Sequence, residues 1–477
     1  MRIVAPAYHS AEPSAELRRR VLRGASFLLG RQAVTGVLAL GAEPMIARTV
    51  GPSQYGLWIA SLALFTYARG LCSLGIEIYL IRSEASISAQ QLDQAFTILA
   101  GLGASAALVA AGVLPLAEHW AGIPGLAHVA GALFLLLPLC LTTLVPTATL
   151  ERTLDYRHIA LVESAARILF YAVTLGLLLD GYRVWALVAG YWAQQSIIAL
   201  FYYAFTGYRP RLSMRAHSAY EMVSYGLGYS SSIWIFQLRN LVNPLIVGRY
   251  AGAAAVGYVG LAERLVTMLS FARGAAWRIS IPVMSRIQAS RSRMARAVSE
   301  GMVWQALALA PLLLAGSVAL PTIIRRLFGI GWSPVTQIYP FIAVSFLVNA
   351  IFSLHSSALY ALKENGRVAI FHLCHTCLLA GGALFIVPRI GWAGYGWAEL
   401  LALASYGVVH RLAVASTGDL DYGFAAPLVA AVSLALFWRE LGAASAVGLI
   451  ALAFWPPTWR SLRLVSSQLR SVVHTAS

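Results

Sequence analysis

Charge is what this sequence has least of. Only 11% of its 477 residues are charged, less than half of the roughly 25% usual in a soluble domain. Against this, 59% are apolar and the mean hydropathy is +0.71. A soluble cytosolic enzyme is excluded, because no single core could bury that much apolar surface. A disordered chain is excluded too, since disorder needs low hydrophobicity and high charge. Cysteine is also scarce. The four, Cys72, Cys140, Cys374 and Cys377, all fall inside apolar blocks, where they read as small packing residues and not as a disulfide framework. The sequence has no Walker A motif, no catalytic triad and no paired carboxylates in an aqueous domain. Neither an ATPase nor another enzyme is expected, and no cofactor. The polar joints between apolar blocks are short, so no extramembrane domain is expected. The first apolar block starts late, is long and has no small-residue cleavage site, which argues against a cleavable signal peptide.

What the chain does have is apolar blocks of about 20 residues, the length that crosses a bilayer as a helix. A β-barrel would instead alternate in segments of about 10 residues. Fourteen blocks can be read, centred near residues 38, 68, 105, 137, 170, 195, 235, 268, 312, 347, 377, 402, 430 and 449. The last two are short and separated by Trp438, Arg439 and Glu440, so twelve spans plus a re-entrant hairpin is the alternative. Either count is even and puts both termini on one side. With the N-terminus in the cytoplasm, 21 of the 35 Lys and Arg fall on cytoplasmic segments, 7 on the opposite side and 7 within spans. This bias supports cytoplasmic termini. It also accounts for most of the net charge of +16 without nucleic acid: the cytoplasmic arginines would face anionic lipid headgroups.

The chain repeats itself. The end of span 1 contains Arg48, Gly51 and Gly56, and the end of span 7 contains Arg249, Gly252 and Gly257. Both have the form R-x2-G-x4-G. Span 2 contains Ala68-Arg69-Gly70 and ends at Arg82; span 8 contains Ala272-Arg273-Gly274 and ends at Arg286. The unit is six spans, and an even number makes the copies parallel, related by an axis along the membrane normal. The expected architecture is therefore an all-α polytopic membrane protein of two parallel six-helix bundles around a central cleft, plus two C-terminal helices. Its parts are a first lobe at 1–206, a basic cytoplasmic linker at 207–220, a second lobe at 221–414, and two further helices with a tail at 415–477.

The stretch from Ala47 to Trp58, with Arg48, Gly51, Pro52, Tyr55 and Gly56, resembles the R-x-LGPxxYG signature of bacterial polysaccharide flippases. Val50 stands where that signature has Leu. Gly75 to Arg82 and Pro282 to Arg286 resemble the same family's endings of spans 2 and 8. This family, the Wzx type, lies within the multidrug/oligosaccharidyl-lipid/polysaccharide exporters. The resemblance implies two six-helix lobes and movement of an undecaprenyl-diphosphate-linked oligosaccharide from the inner to the outer leaflet of the bacterial inner membrane. Polysaccharide polymerase and export proteins would be its partners. Lipid II flippases and multidrug antiporters are the alternatives within the superfamily. A multidrug pump would favour an acidic cleft, and these spans hold more Arg than Glu. A polysaccharide polymerase or ligase would be expected to carry a large outer loop, which is absent.

Charges inside a membrane need a cavity or a partner, because each costs roughly 2.5–3.5 kcal/mol on insertion scales. Arg31 in span 1, one turn before Thr35, and Arg239 in span 7, among Ser232, Gln237, Asn240 and Asn243, are counterparts by the repeat. Two guanidinium forks across a cleft would suit a diphosphate. Arg69 and Arg273 are repeat mates that would extend this lining. The alternative for these arginines is structural pairing with Glu77, Glu43 or Glu263. Glu163 and Arg167, at i,i+4, are expected to pair along their helix. Glu43 and Glu399 are candidate sites for ion coupling. Pro44 and Pro244, near the ends of spans 1 and 7, are candidate hinges. His372, Cys374, His375 and Cys377 share one helix, and a single helix rarely supplies four tetrahedral ligands, so no metal site is expected.

Overall fold

Helix formation in this chain is driven by long apolar runs, and the ends are set by local capping chemistry. Ser88 caps the helix Ala89–Ala121: its hydroxyl accepts from the Gln91 amide while the Gln91 side chain accepts from the Ser88 amide. Gly122, at φ 62°, closes the other end. The Glu118 carboxylate then takes the amides of Gly125 and Ala127 at 3.0 and 2.7 Å, which starts the following helix, Leu126–Phe134. Asp155 caps Tyr156–Leu179 through the His158 amide. The computed structural model describes residues 14–82, 87–214, 216–269, 280 and 284–456, and among these there is no strand.

Among the described residues, ten helices are long and apolar enough to cross a membrane, or up to twelve if each of two bent pairs counts as one span. Ala89–Ala121 shows why water is the wrong solvent. Its best window has a mean hydropathy of 2.0, yet only 22% of that window is buried in the protein. An apolar helix with most of its surface exposed is stable only against lipid. The blocks read near residues 235 and 268 correspond to two helices joined across a break at Gly252, and beyond Leu269 the second block lies outside the described residues. The final two blocks, Ala425–Leu436 and Trp438–Phe454, form a pair bent by 67°. Ala425–Leu436 has 12 residues, about 18 Å at the α-helical rise and well short of the roughly 30 Å hydrocarbon core.

Packing groups the chain into two units, Met1–Gly257 and Tyr258–Ser477. Residues 221–257 stand with the first. Its tightest helix associations are Tyr156–Leu179 with Val184–Thr206 and with Ser14–Val50. In the second, Arg291–Ile323 packs on Val335–Ala361 around Met294, Val298, Met302, Ile351 and Leu354. There the buried Tyr339 hydroxyl donates to the Leu313 carbonyl at 3.0 Å.

The sequence repeat has a backbone counterpart. Gly51 adopts φ 79°, ψ 165°, and Gly252 adopts φ 81°, ψ 174°. Both breaks lie in the left-handed half of the map, where glycine costs nothing and other residues are strained. The two motif copies also touch. A Cβ on Gly56 would lie 1.8 Å from the Ala253 carbonyl oxygen, and one on Gly257 would lie 2.4 Å from that of Pro52. Only glycine lets the backbones come this close.

Candidate functional site

Arg31 sits on Ser14–Val50 with its side chain mostly covered, 20% exposed. Its Nη1 forms an ion pair with Glu163 Oε2, 132 residues away on Tyr156–Leu179. The other oxygen of Glu163 accepts from the Tyr202 hydroxyl at 3.3 Å, and Tyr202 is 1% exposed. This corrects the expected Glu163–Arg167 pair: Glu163 turns to Arg31, and Arg167 lies over the Phe170 ring at 5.7 Å. Thr35 does not project its hydroxyl away from the helix. It donates back to the Arg31 and Gln32 carbonyls at 2.9 and 3.1 Å.

Arg69 ends the helix Pro52–Cys72 and lies close enough to Glu77, Cys140 and Tyr191 to act on each electrostatically. Next to it, the Gly70 carbonyl accepts from the Trp234 indole N–H at 2.8 Å, and the Gln237 side chain packs on Gly70. Arg239 begins a short 3-10 turn, Arg239–Leu241, that packs on Pro52–Cys72, and its guanidinium lies over Phe236 at 5.6 Å. Asn240 is exposed. Asn243 is 4% exposed and donates to the Val256 carbonyl at 3.3 Å, bracing the chain across the Gly252 break. Arg273 and the side chain of Ser232 lie outside the described residues, as does Pro282.

The two candidate coupling carboxylates are both buried, Glu43 at 7% and Glu399 at 3% exposed. Each oxygen of Glu43 meets a tyrosine hydroxyl, Tyr55 at 3.4 Å and Tyr171 at 3.2 Å. Tyr55 belongs to the signature, so this motif supports the carboxylate of the preceding helix. Glu399 accepts from Ser345 at 2.5 Å and from Tyr395 at 3.0 Å, and the same Tyr395 hydroxyl lies 3.0 Å from Glu263. One phenolic proton thus stands between two carboxyl groups, and it can be donated to only one at a time.

The candidate hinges differ. Pro44 is buried within the uninterrupted helix Ser14–Val50. Pro244 lies in a π-helical segment, Asn243–Val247, directly after the 3-10 turn. Here the ladder has already lost its regular i→i−4 pattern, as a proline's missing N–H allows. Arg48 of the signature is exposed, and Pro52 opens its helix at the first position, where the missing N–H costs nothing.

Sequence reasoning missed one polar cluster. The Tyr422 hydroxyl lies 2.5 Å from His355 Nε2 and 2.8 Å from His410 Nδ1, tying the 418–424 connector to two helices. No spacing signalled it, because the three residues come from separate segments. Burial pushes the Tyr422 hydroxyl above its ordinary range. His375, by contrast, is buried and bonded to Ser405 at 3.0 Å, while Cys377 on the same helix is exposed.

Comparisons with known proteins agree with this architecture. Residues 45–337 match the family model described as polysaccharide biosynthesis protein. The chain is 22% identical over 424 residues to the succinoglycan biosynthesis transport protein ExoT of Rhizobium meliloti, covering 83% of this chain and 82% of that protein. It is 27% identical over 186 residues to the amylovoran biosynthesis protein AmsL of Erwinia amylovora, covering 38% of this chain and 48% of that protein. A solved structure of the lipid II flippase MurJ in an inward closed conformation shares the fold, with a TM-score of 0.70 at 13% identity, over 95% of this chain and 100% of that one. With more than half of its length matched, both copies of its glycine motif included, the chain belongs to the polysaccharide biosynthesis protein family.

Proposed function

We propose that the protein flips a lipid-linked oligosaccharide from the inner to the outer leaflet of the bacterial inner membrane, for surface polysaccharide or exopolysaccharide synthesis. The observation that carries this reading is the family match over residues 45–337, which spans the signature and its repeat. The cargo is an oligosaccharide on undecaprenyl diphosphate, moved by alternating access. Arg31, Arg69, Arg239 and Arg273 bind the diphosphate, because guanidinium groups match phosphate oxygens in pairs. Gln237 and Asn240 add polar lining. Glu43 and Glu399 couple an ion to the cycle, and Pro44 and Pro244 mark where helices bend. Both termini are cytoplasmic, where the basic segments meet anionic lipid. A diphosphate also gains from the inside-negative potential, by about 2.3 kcal/mol per charge per 100 mV on moving outward.

The test is to deplete the protein and extract membrane lipids for mass spectrometry. Build-up of one undecaprenyl-diphosphate oligosaccharide, with loss of surface polysaccharide, is the expected result and names the cargo. Build-up of lipid II would move the assignment to peptidoglycan. No accumulation, in a strain without a second flippase, would overturn the reading.

A further inference from the structure

We propose that Glu163 is a built-in competitor for the cargo: its carboxylate occupies Arg31 in the empty protein and is displaced by the diphosphate. This rests on the reading of Arg31 as a diphosphate ligand, and it adds a residue that sets how tightly cargo is held and how readily it leaves.

Three observations support it. The first is chemical likeness. A carboxylate and a phosphate present the same kind of acceptor oxygens to a guanidinium, so the two compete for one donor set. The second is access. The Arg31 and Glu163 side chains are 20% and 33% exposed, so the pair is not sealed in the core. The third is that Glu163 has somewhere to go. Its second oxygen already accepts from Tyr202, a hydroxyl that is itself buried and fixed. When Arg31 turns to a diphosphate, Glu163 keeps that bond and is not left as a bare charge.

The consequence is a cycle of exchange. Cargo arriving takes Arg31 from Glu163. As cargo leaves, Glu163 takes Arg31 back, which speeds release and neutralises Arg31.

The experiment uses full-length protein in lipid nanodiscs with undecaprenyl diphosphate as the probe, and reads Kd, dissociation rate and thermal stability. Glu163→Gln keeps the size of the side chain and an acceptor for Tyr202 but removes the charge. It should bind the probe about ten-fold tighter, a change of the order one lost competing ion pair supports, with slower dissociation and slower transport. Tyr202→Phe should act in the opposite direction, weakening binding about threefold, because displaced Glu163 loses its second partner. Unchanged or weaker binding in Glu163→Gln, together with lower stability, would overturn the proposal and leave the pair structural. Should Glu163→Gln not fold, Glu163→Asp, with its shorter reach to Arg31, should still bind more tightly than the parent, and parental or weaker affinity there would also overturn it. Arg31→Gln separates the two readings. If it binds the probe like the parent, Arg31 is no phosphate ligand and the proposal falls with that reading. If it loses binding while Glu163→Gln gains none, only the competitor role fails.

Discussion

Adding one carbon to Gly56 should damage this protein more than adding it to almost any other helical glycine. An ideal Cβ there lies 1.8 Å from the Ala253 carbonyl oxygen, 2.8 Å from its carbon and 2.9 Å from the Gly257 nitrogen. A comfortable carbon–oxygen approach is about 3.3 Å, so the two backbones would have to part by roughly 1.5 Å. The obstruction is main chain on both sides, which cannot rotate away. Overpacking of this kind costs about 3 kcal/mol, at the top of the usual range, offset by about 1 kcal/mol from replacing glycine within a helix. Gly56→Ala should therefore lose about 2 kcal/mol of stability. Gly257→Ala meets the Pro52 oxygen at 2.4 Å, needs a shift of roughly 1 Å and should lose about 1 kcal/mol. Both act on one contact, so the double variant should lose less than the two losses added, since the first displacement makes room for the second. Denaturation of purified protein in detergent measures all three. A Gly56→Ala protein as stable as the parent, or strict additivity in the double variant, would refute the account of this contact.

Other changes test other parts of the structure. Gly112→Ala, on Ala89–Ala121 with nothing within 4 Å of the added carbon, should raise stability by about 0.5–1 kcal/mol in the same denaturation assay. Tyr422→Phe takes the shared hydroxyl from His355 and His410 and should cost about 2 kcal/mol, because a fully buried ring nitrogen loses its partner; limited proteolysis should then cut the 418–424 connector faster. Asn243→Ala should cost only about 1 kcal/mol, since the lost bond to Val256 is partly offset by removing a buried amide oxygen that has no partner; hydrogen exchange near Gly252 should rise. Pro44→Ala with Pro244→Ala should leave undecaprenyl-diphosphate binding intact and slow transport in reconstituted vesicles, and unchanged transport would remove these prolines from the mechanism.

The features that were legible in the sequence are those set by local chemistry or by period. Apolar blocks of membrane length gave the helices. The R-x2-G-x4-G repeat led to Gly51 and Gly252, whose backbones agree within about 10° in both angles, because a glycine forced into the left-handed region is a local property. That Gly56 and Gly257 meet each other was not legible, since a repeat shows equivalence and not contact. Both breaks were readable: separate apolar blocks stand on either side of Gly252, and Trp438, Arg439 and Glu440 interrupt the last two blocks where the helices bend by 67°. Hydropathy registers apolar length but not the angle at such a break. Thr35 and Asn243 read as cleft lining from their polarity, yet each uses its side chain on main-chain carbonyls. Polarity within an apolar helix does not tell a ligand-facing group from one that serves its own backbone.

The misassigned partner of Glu163 shows how charges choose one another in a membrane. Spacing favoured Arg167, four residues on, and in water such a pair gains about 0.2–0.5 kcal/mol. Inside a bilayer the relevant quantity is what each cation loses when left alone, roughly 2.5–3.5 kcal/mol. Arg167 lies against an aromatic face, Phe170, which lessens its need for a carboxylate. Arg31 is more covered than the carboxylate it pairs with. One carboxylate and two candidate cations resolve in favour of the pairing that removes the larger penalty, whatever the separation along the chain. Of the intramembrane arginines, then, those whose only nearby carboxylate lies one helical turn away are the ones for which sequence spacing is least informative, because tertiary packing offers every charge a wider choice than its own helix does.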